Sequence, residues 1–155
     1  MKVECVNKKQ LDAISEEMIV VYGCRDVCAN AYAQIINLLI AEYYDEGIVL
    51  FLQMHKSKIL KVTSLNTCIL RYYSQAMIHQ HKFEQLVGCL EGIIDDYSNA
   101  ELYNNYAVAL YYSGEKSRAV ENLKKALKIC NSDSIKRNLE KIEESSKIKD
   151  RKLFI

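Results

Sequence analysis

Residues 67–99, TCILRYYSQAMIHQHKFEQLVGCLEGIIDDYSN, and residues 100–133, AELYNNYAVALYYSGEKSRAVENLKKALKICNSD, align at a spacing of 33. Leu70 falls on Tyr103, Tyr73 on Tyr106, Met77 on Leu110, Leu86 on Ala119, Leu90 on Leu123 and Ile93 on Ala126. A period of this length constrains the fold more than any other feature, because each unit is too short to bury its own apolar face and must stack on a neighbour. Inside each unit the apolar residues recur at three and four. Tyr103, Tyr106, Ala107 and Leu110 line one helical face, and Ala119, Leu123, Ala126 and Leu127 line another after the polar break SGEK. Each unit is therefore expected to be two amphipathic helices folded back as a hairpin. The absence of proline and the presence of only five glycines in 155 residues favour long helices and short turns.

The second unit resembles the tetratricopeptide repeat, a family with about 34 residues per unit. The large, small and aromatic positions of that family fall on Tyr103, Tyr106, Ala107, Leu110, Gly114, Ala119, Leu123 and Ala126. Asn131 stands where the family often has proline, and in residues 67–99 Leu86 and Ile93 replace small residues. The resemblance is clear in 100–133, weaker in 67–99 and degenerate in 26–60. It implies an all-α fold: a right-handed superhelical stack of antiparallel hairpins closed by a capping helix. Under that scheme one repeat domain covers 1–146. It has an N-terminal helix at 9–22, hairpins at 26–61, 67–97 and 100–130, a capping helix at 133–146, and a tail at 147–155. In the first hairpin a helix from 26 to 44 is expected to break at Asp45-Glu46-Gly47. In the N-terminal helix Leu11, Ile14, Met18 and Val21 share one side, and in the capping helix Ile135, Leu139 and Ile142 do. Ser132 or Ser134 is placed to cap that last helix.

The string GEKS invites comparison with a phosphate-binding loop. That loop needs a preceding strand and a first glycine five residues upstream of the second. Here Ala109 stands at the first glycine, Glu115 separates Gly114 from Lys116, and a helix precedes. Gly114 is better explained as a left-handed residue that ends one helix and turns the chain, with Lys116 at the surface. Cys24 and Cys28, four apart, have no second ligand pair at zinc spacing. His79 and His81 flank a turn without a carboxylate or thiol partner nearby in sequence. The pairs Glu16-Glu17, Asp95-Asp96 and Glu143-Glu144 are adjacent, so on helices they point apart and make poor acid/base dyads. No nucleophile elbow or glycine-rich loop is present. No enzyme activity, cofactor or metal is expected.

The candidate surfaces are two. In the resembled family the first helix of each repeat lines an inner groove. That resemblance points to Arg71, Gln75, Asn104, Val108, Tyr111 and Tyr112 as partner-binding residues. Family members that hold acidic chaperone tails use a basic clamp there. Glu101, Asn104 and Val108 occupy those positions here, so that partner is not expected. The second surface is basic. Residues 1–100 carry nine Lys/Arg against twelve Asp/Glu, whereas 101–155 carry twelve against eight. Lys124, Lys125, Lys128, Lys136, Arg137 and Lys141, with Lys147, Lys149, Arg151 and Lys152 in the tail, could meet RNA phosphates or an acidic protein. The tail KIKDRKLFI turns abruptly apolar. The N-terminus MKVECVNKKQ has no apolar leader run, and no segment approaches the roughly 20 apolar residues of a membrane span. Six cysteines are then expected as free, packed thiols in the cytoplasm. The expected role is a non-enzymatic protein-interaction scaffold within a larger assembly. A ribosome-associated stabilising or dormancy factor touching ribosomal RNA or ribosomal proteins is the alternative. An adaptor of a trafficking or degradation complex is a second.

Overall fold

The computed structural model describes residues 7–22, 26–145, 153 and 155, without the side chains of Ile19, Val21 and Tyr22. Cys5, Cys24, the Val21 side chain and the tail cations Lys147, Lys149, Arg151 and Lys152 lie outside the described residues. Among the described residues every regular element is helical: α1 Lys8–Tyr22, α2 Val27–Ile40, α3 Tyr44–Lys56, α4 Thr63–His79, α5 Phe83–Leu90, α6 Ala100–Tyr112, α7 Lys116–Ile129 and α8 Asp133–Glu144, with a 3-10 turn at Ile94–Asp96. The fold is all-α. No described helix is long and apolar enough to cross a membrane. The chain divides into two compact units, Met1–Tyr73 and Ser74–Ile155. In the first, α1 packs on α2 and α2 on α3; in the second, α5 packs on α6, α6 on α7 and α7 on α8.

The helices start and stop for local reasons. Asp26 caps α2 by accepting the Ala29 N–H at 2.8 Å, and Asn99 caps α6 by accepting the Leu102 N–H at 2.9 Å. Ser132 occupies the N-cap position of α8, but its side chain makes no capping hydrogen bond. The turns α2–α3, α4–α5 and α6–α7 are built alike. Each places one residue in the left-handed region: Glu42 at φ 66, His81 at φ 57 and Gly114 at φ 89. Behind it the next N–H donates five residues back, Tyr43 to Leu38 at 2.8 Å, Lys82 to Met77 at 2.9 Å and Glu115 to Leu110 at 2.9 Å. The left-handed residue itself donates three residues back in all three turns, at 3.0–3.1 Å. This is the Schellman ending, which satisfies helix carbonyls left open at a C-terminus. The following N-cap residues, Tyr43, Lys82 and Glu115, repeat the same backbone shape with ψ of 65, 55 and 61°. Only Gly114 meets that geometry without a Cβ penalty. Glu42→Gly is therefore expected to raise stability by about 0.5–1 kcal/mol, the left-handed penalty less the added unfolded-chain entropy of glycine. Urea unfolding midpoints check it.

Two boundaries differ from the sequence expectation. The first hairpin breaks at residues 41–43, not at 45–47, and Asp45, Glu46 and Gly47 open α3. The two acids sit in its first turn, where negative charge favours a helix. Gly47 is a contact residue instead of a breaker: a Cβ there would lie 2.8 Å from Leu39 Cδ2 and 3.1 Å from Leu39 Cγ. Its bare backbone lets α3 approach α2. The second hairpin's return helix ends at Leu90, well short of residue 97. Its counterpart α7 runs to Ile129 with Ala126 fully buried. The aligned Ile93 is too bulky for the same approach, and the chain instead tightens into the 3-10 turn that buries Ile94 and Tyr97.

Three side-chain hydrogen bonds join residues 34 apart in sequence. In the first unit the Tyr32 hydroxyl on α2 donates to Asn66 Oδ1 on α4 at 2.5 Å, and the two residues are 34 apart. In the second unit Asn138 Nδ2 on α8 donates to Asn104 Oδ1 on α6 at 2.8 Å, again 34 apart. Tyr111 and Ser145, also 34 apart, join hydroxyl to hydroxyl. Helix α8 thus packs on α7 and is bonded back to α6. Ile135 and Ile142 are buried along it, and Leu139 is half-buried.

The free-thiol expectation holds for Cys28, Cys89 and Cys130. It fails at Cys68, buried in α4, which is disulfide-bonded. Sequence spacing alone does not reveal such pairing.

Candidate functional site

The expected groove residues do not form an open groove in the second unit. Asn104, Val108 and Tyr111 are buried at 6%, 1% and 1% exposure. Asn104 and Tyr111 bond to Asn138 and Ser145, so the chain's own last helix takes the contacts a partner would need. Gln75 and Tyr112 stay half-buried; Arg71, in the first unit, is also half-buried. The repeat pattern located the face but gave no sign that α8 covers it. The signal available was Asn138 itself, a polar residue inside the apolar stripe of α8 and one repeat length beyond Asn104.

What remains accessible is an aromatic cluster at the α4–α5 turn. The Tyr112 and Phe83 rings stack at 4.7 Å between centroids, and His81 stands edge-on to Phe83 at 5.6 Å. Tyr111 meets Tyr112 edge-to-face at 5.4 Å, with the rings inclined at 61°. His81, Lys82, Phe83, Glu84, Gln85 and Tyr112 line a concavity of about 330 Å³. Burial, and then the neighbouring Tyr111, raises the Tyr112 hydroxyl above its usual pKa, so it stays a neutral donor. Sequence reading singled out Tyr112 and His81 separately. Phe83 was missed because nothing in the chain order signals that it meets Tyr112.

The GEKS turn is occupied by structural bonds. Lys116 Nζ donates to the backbone carbonyls of Ser145 at 3.1 Å and Glu143 at 3.4 Å, so it caps the C-terminus of α8 and is more than a surface cation. Glu115 is held by Arg118 at 2.6 Å. Arg118 also donates to Glu91 at 2.9 Å and to the Tyr106 hydroxyl at 2.8 Å. The bond to Glu115 is the largest cause raising the Arg118 pKa. These groups tie α7 to α6 and to the end of α5.

The basic surface is partly neutralised. Lys125 lies 3.8 Å from both Asp95 and Glu121, and Lys136 lies 4.0 Å from Asp133. Lys141 is half-buried, while Lys124, Lys128 and Arg137 are exposed. Beside Lys125, Tyr103 donates to Asp95 Oδ1 at 2.9 Å. Burial first, and then the hydrogen bond and charge of Asp95, push the Tyr103 pKa from 10.0 up to about 12. The neutral phenol is therefore favoured in the folded chain. Its stabilising contribution is complete below pH 10 and is lost as pH rises toward 12. Tyr103→Phe is expected to flatten the fall in unfolding midpoint across that alkaline range, as read by urea titrations at stepped pH.

Among the described residues no group of three His, Cys, Asp or Glu side chains is placed to hold a metal ion. No protein-family model matches the chain, nor does any curated protein or solved structure match it.

Proposed function

We propose that this chain is a non-enzymatic helical-repeat module, similar to tetratricopeptide repeats, that docks into a larger protein assembly. The observation that carries the reading is the turn shared by the three hairpins, a Schellman ending at Glu42, His81 and Gly114 followed directly by an N-cap residue with ψ of 55–65°; the Schellman ending at Lys58 is not followed by such a cap. One backbone solution recurs at the same place in three hairpins, which is what stacking repeats require. A right-handed superhelical stack closed by α8 follows from the same reading. Its partner is a protein, and the accessible aromatic cluster is where contact is centred, since rigid aromatic rings dominate interface energetics. A cytoplasmic location is favoured by the three free thiols and opposed by the disulfide at Cys68.

A native pull-down at low salt, with mass spectrometry of the eluate, tests this role. Recovery of stoichiometric protein partners that are lost on Phe83→Ser and Tyr112→Ser supports it, and recovery of free monomer alone overturns it. The exposed cations Lys124, Lys128 and Arg137 favour a second reading, contact with ribosomal RNA or ribosomal proteins. Sedimentation with ribosomes across a salt series separates the two, because phosphate contacts are strongest at low salt. Subunits of trafficking or degradation complexes among the captured proteins would select the adaptor role.

A further inference from the structure

The outward face of α3 is complementary to itself. The exposed residues of this helix are Asp45, Glu46, Val49, Gln53 and Lys56. They recur at three and four, so they form one stripe along the helix. The stripe runs from acid through an apolar centre to base. Glu46 and Lys56 lie ten residues apart, about 15 Å along the axis. Among the described residues neither has an ion-pair partner, so both charges can pair outward. Val49, between them, is 52% exposed.

The two ends of the stripe extend the pattern. At the acidic end Tyr43 is 58% exposed. At the basic end Val27, 66% exposed, shares a concavity of about 410 Å³ with Lys58, Ile59 and Lys61. Both lysines are exposed, while the Asp26 carboxylate at the same concavity is engaged by the Ala29 N–H. The Val62 N–H donates to the buried Tyr32 hydroxyl, which fixes the loop that carries the lysines. A cavity of about 150 Å³ accepts a benzene ring, so this one has room for a phenol. Ammonium groups favour the face of such a ring. Val27, Tyr43 and Val49 are three of the six exposed large apolar residues among those described, and one arrangement covers all three.

We propose that α3 pairs antiparallel with α3 of a second copy of this chain, about a twofold axis at the level of residue 51. That register sets Glu46 of each copy against Lys56 of the other. It brings the two Val49 residues to the centre beside Gln53, and Tyr43 toward the other copy's concavity. Twofold pairing uses every contact twice, and each helix's acidic start meets the other's basic end. A helix of 13 residues offers a small face, so the dimer belongs to the weak class that buries less than about 1,200 Å². The pairing uses the first unit alone and the aromatic cluster belongs to the second, so its failure would leave the assembly role untouched.

Sedimentation equilibrium of the full chain at low salt, carried to several hundred micromolar, tests the pairing. The mass is expected to rise from 17.9 kDa toward twice that value and no further. Added salt should return it toward the monomer. Glu46→Lys and Lys56→Glu each set like charges opposite one another at two places, so either variant alone should dimerise about tenfold more weakly or worse. Their equimolar mixture should regain the parent's mass, because two bases then face two acids across the axis. That rescue also shows that neither variant has misfolded. Monomer at every concentration overturns the proposal, as does a mass that grows past the dimer. A dimer equally strong in either variant alone, or a mixture no heavier than its components, overturns it as well.

Discussion

Tyr32→Phe is expected to destabilise the first unit by about 2–4 kcal/mol, although it removes a single oxygen. Tyr32 is fully buried on α2. Its hydroxyl accepts the Val62 N–H at 3.0 Å and donates to Asn66 Oδ1 at 2.5 Å. Asn66 in turn donates Nδ2 to the Leu60 carbonyl at 3.2 Å. The one oxygen thus ties the loop before α4 and the first turns of α4 to α2. Phenylalanine fills the same space, so packing is kept while a backbone donor and a buried amide oxygen lose their partner. Orphaned groups of this kind cost about 1–3 kcal/mol each. Tyr32→Phe with Asn66→Leu should recover part of the loss, because the amide is then no longer stranded. Hydrogen exchange should show the fastest opening at residues 60–66. A destabilisation below 0.5 kcal/mol, or one spread evenly over the unit, would show that packing alone holds this corner.

The all-α class, the eight described helices and the turn at Gly114 were legible because they rest on local periodicity and on one residue type with a plain conformational meaning. The same logic misled at Gly47. Glycine was read as a breaker, yet its function there is to admit Leu39, a contact that chain order does not display. The true break lies at Glu42, a residue type that gives no warning of a positive φ. The candidate groove shows the limit most sharply. Repeat alignment put Asn104, Val108 and Tyr111 on one face, and they do share it. Whether a face is open depends on what covers it, and the cover is α8, 34 residues further on. Aromatic contacts such as Phe83 with Tyr112 join residues 29 apart in sequence and obey no period.

Asn138→Ala is expected to cost about 2–4 kcal/mol in the second unit, since it removes the buried hydrogen bond to Asn104 Oδ1 and leaves a cavity. Asn138 is fully buried in an otherwise apolar stripe, where leucine would pack as well without a polar obligation. A buried amide pair of this kind fixes register better than it adds stability. The two effects separate in a double-mutant cycle. Asn104→Leu and Asn138→Leu should each destabilise, and the double variant should be markedly more stable than their sum predicts, with a coupling of about 1–3 kcal/mol. If the amides set register, the double variant should also lose protection of the Tyr111 hydroxyl bond to Ser145, because apolar contacts alone permit α8 to slide along α6. Zero coupling would remove the amides from that role and leave α8 held by Ile135, Ile142, the Tyr111–Ser145 bond and the Lys116 cap. A detached α8 uncovers Asn104, Val108 and Tyr111 together. Under the proposed docking role, the stability of this one helix would set whether those residues or only the aromatic cluster at Phe83 and Tyr112 are accessible.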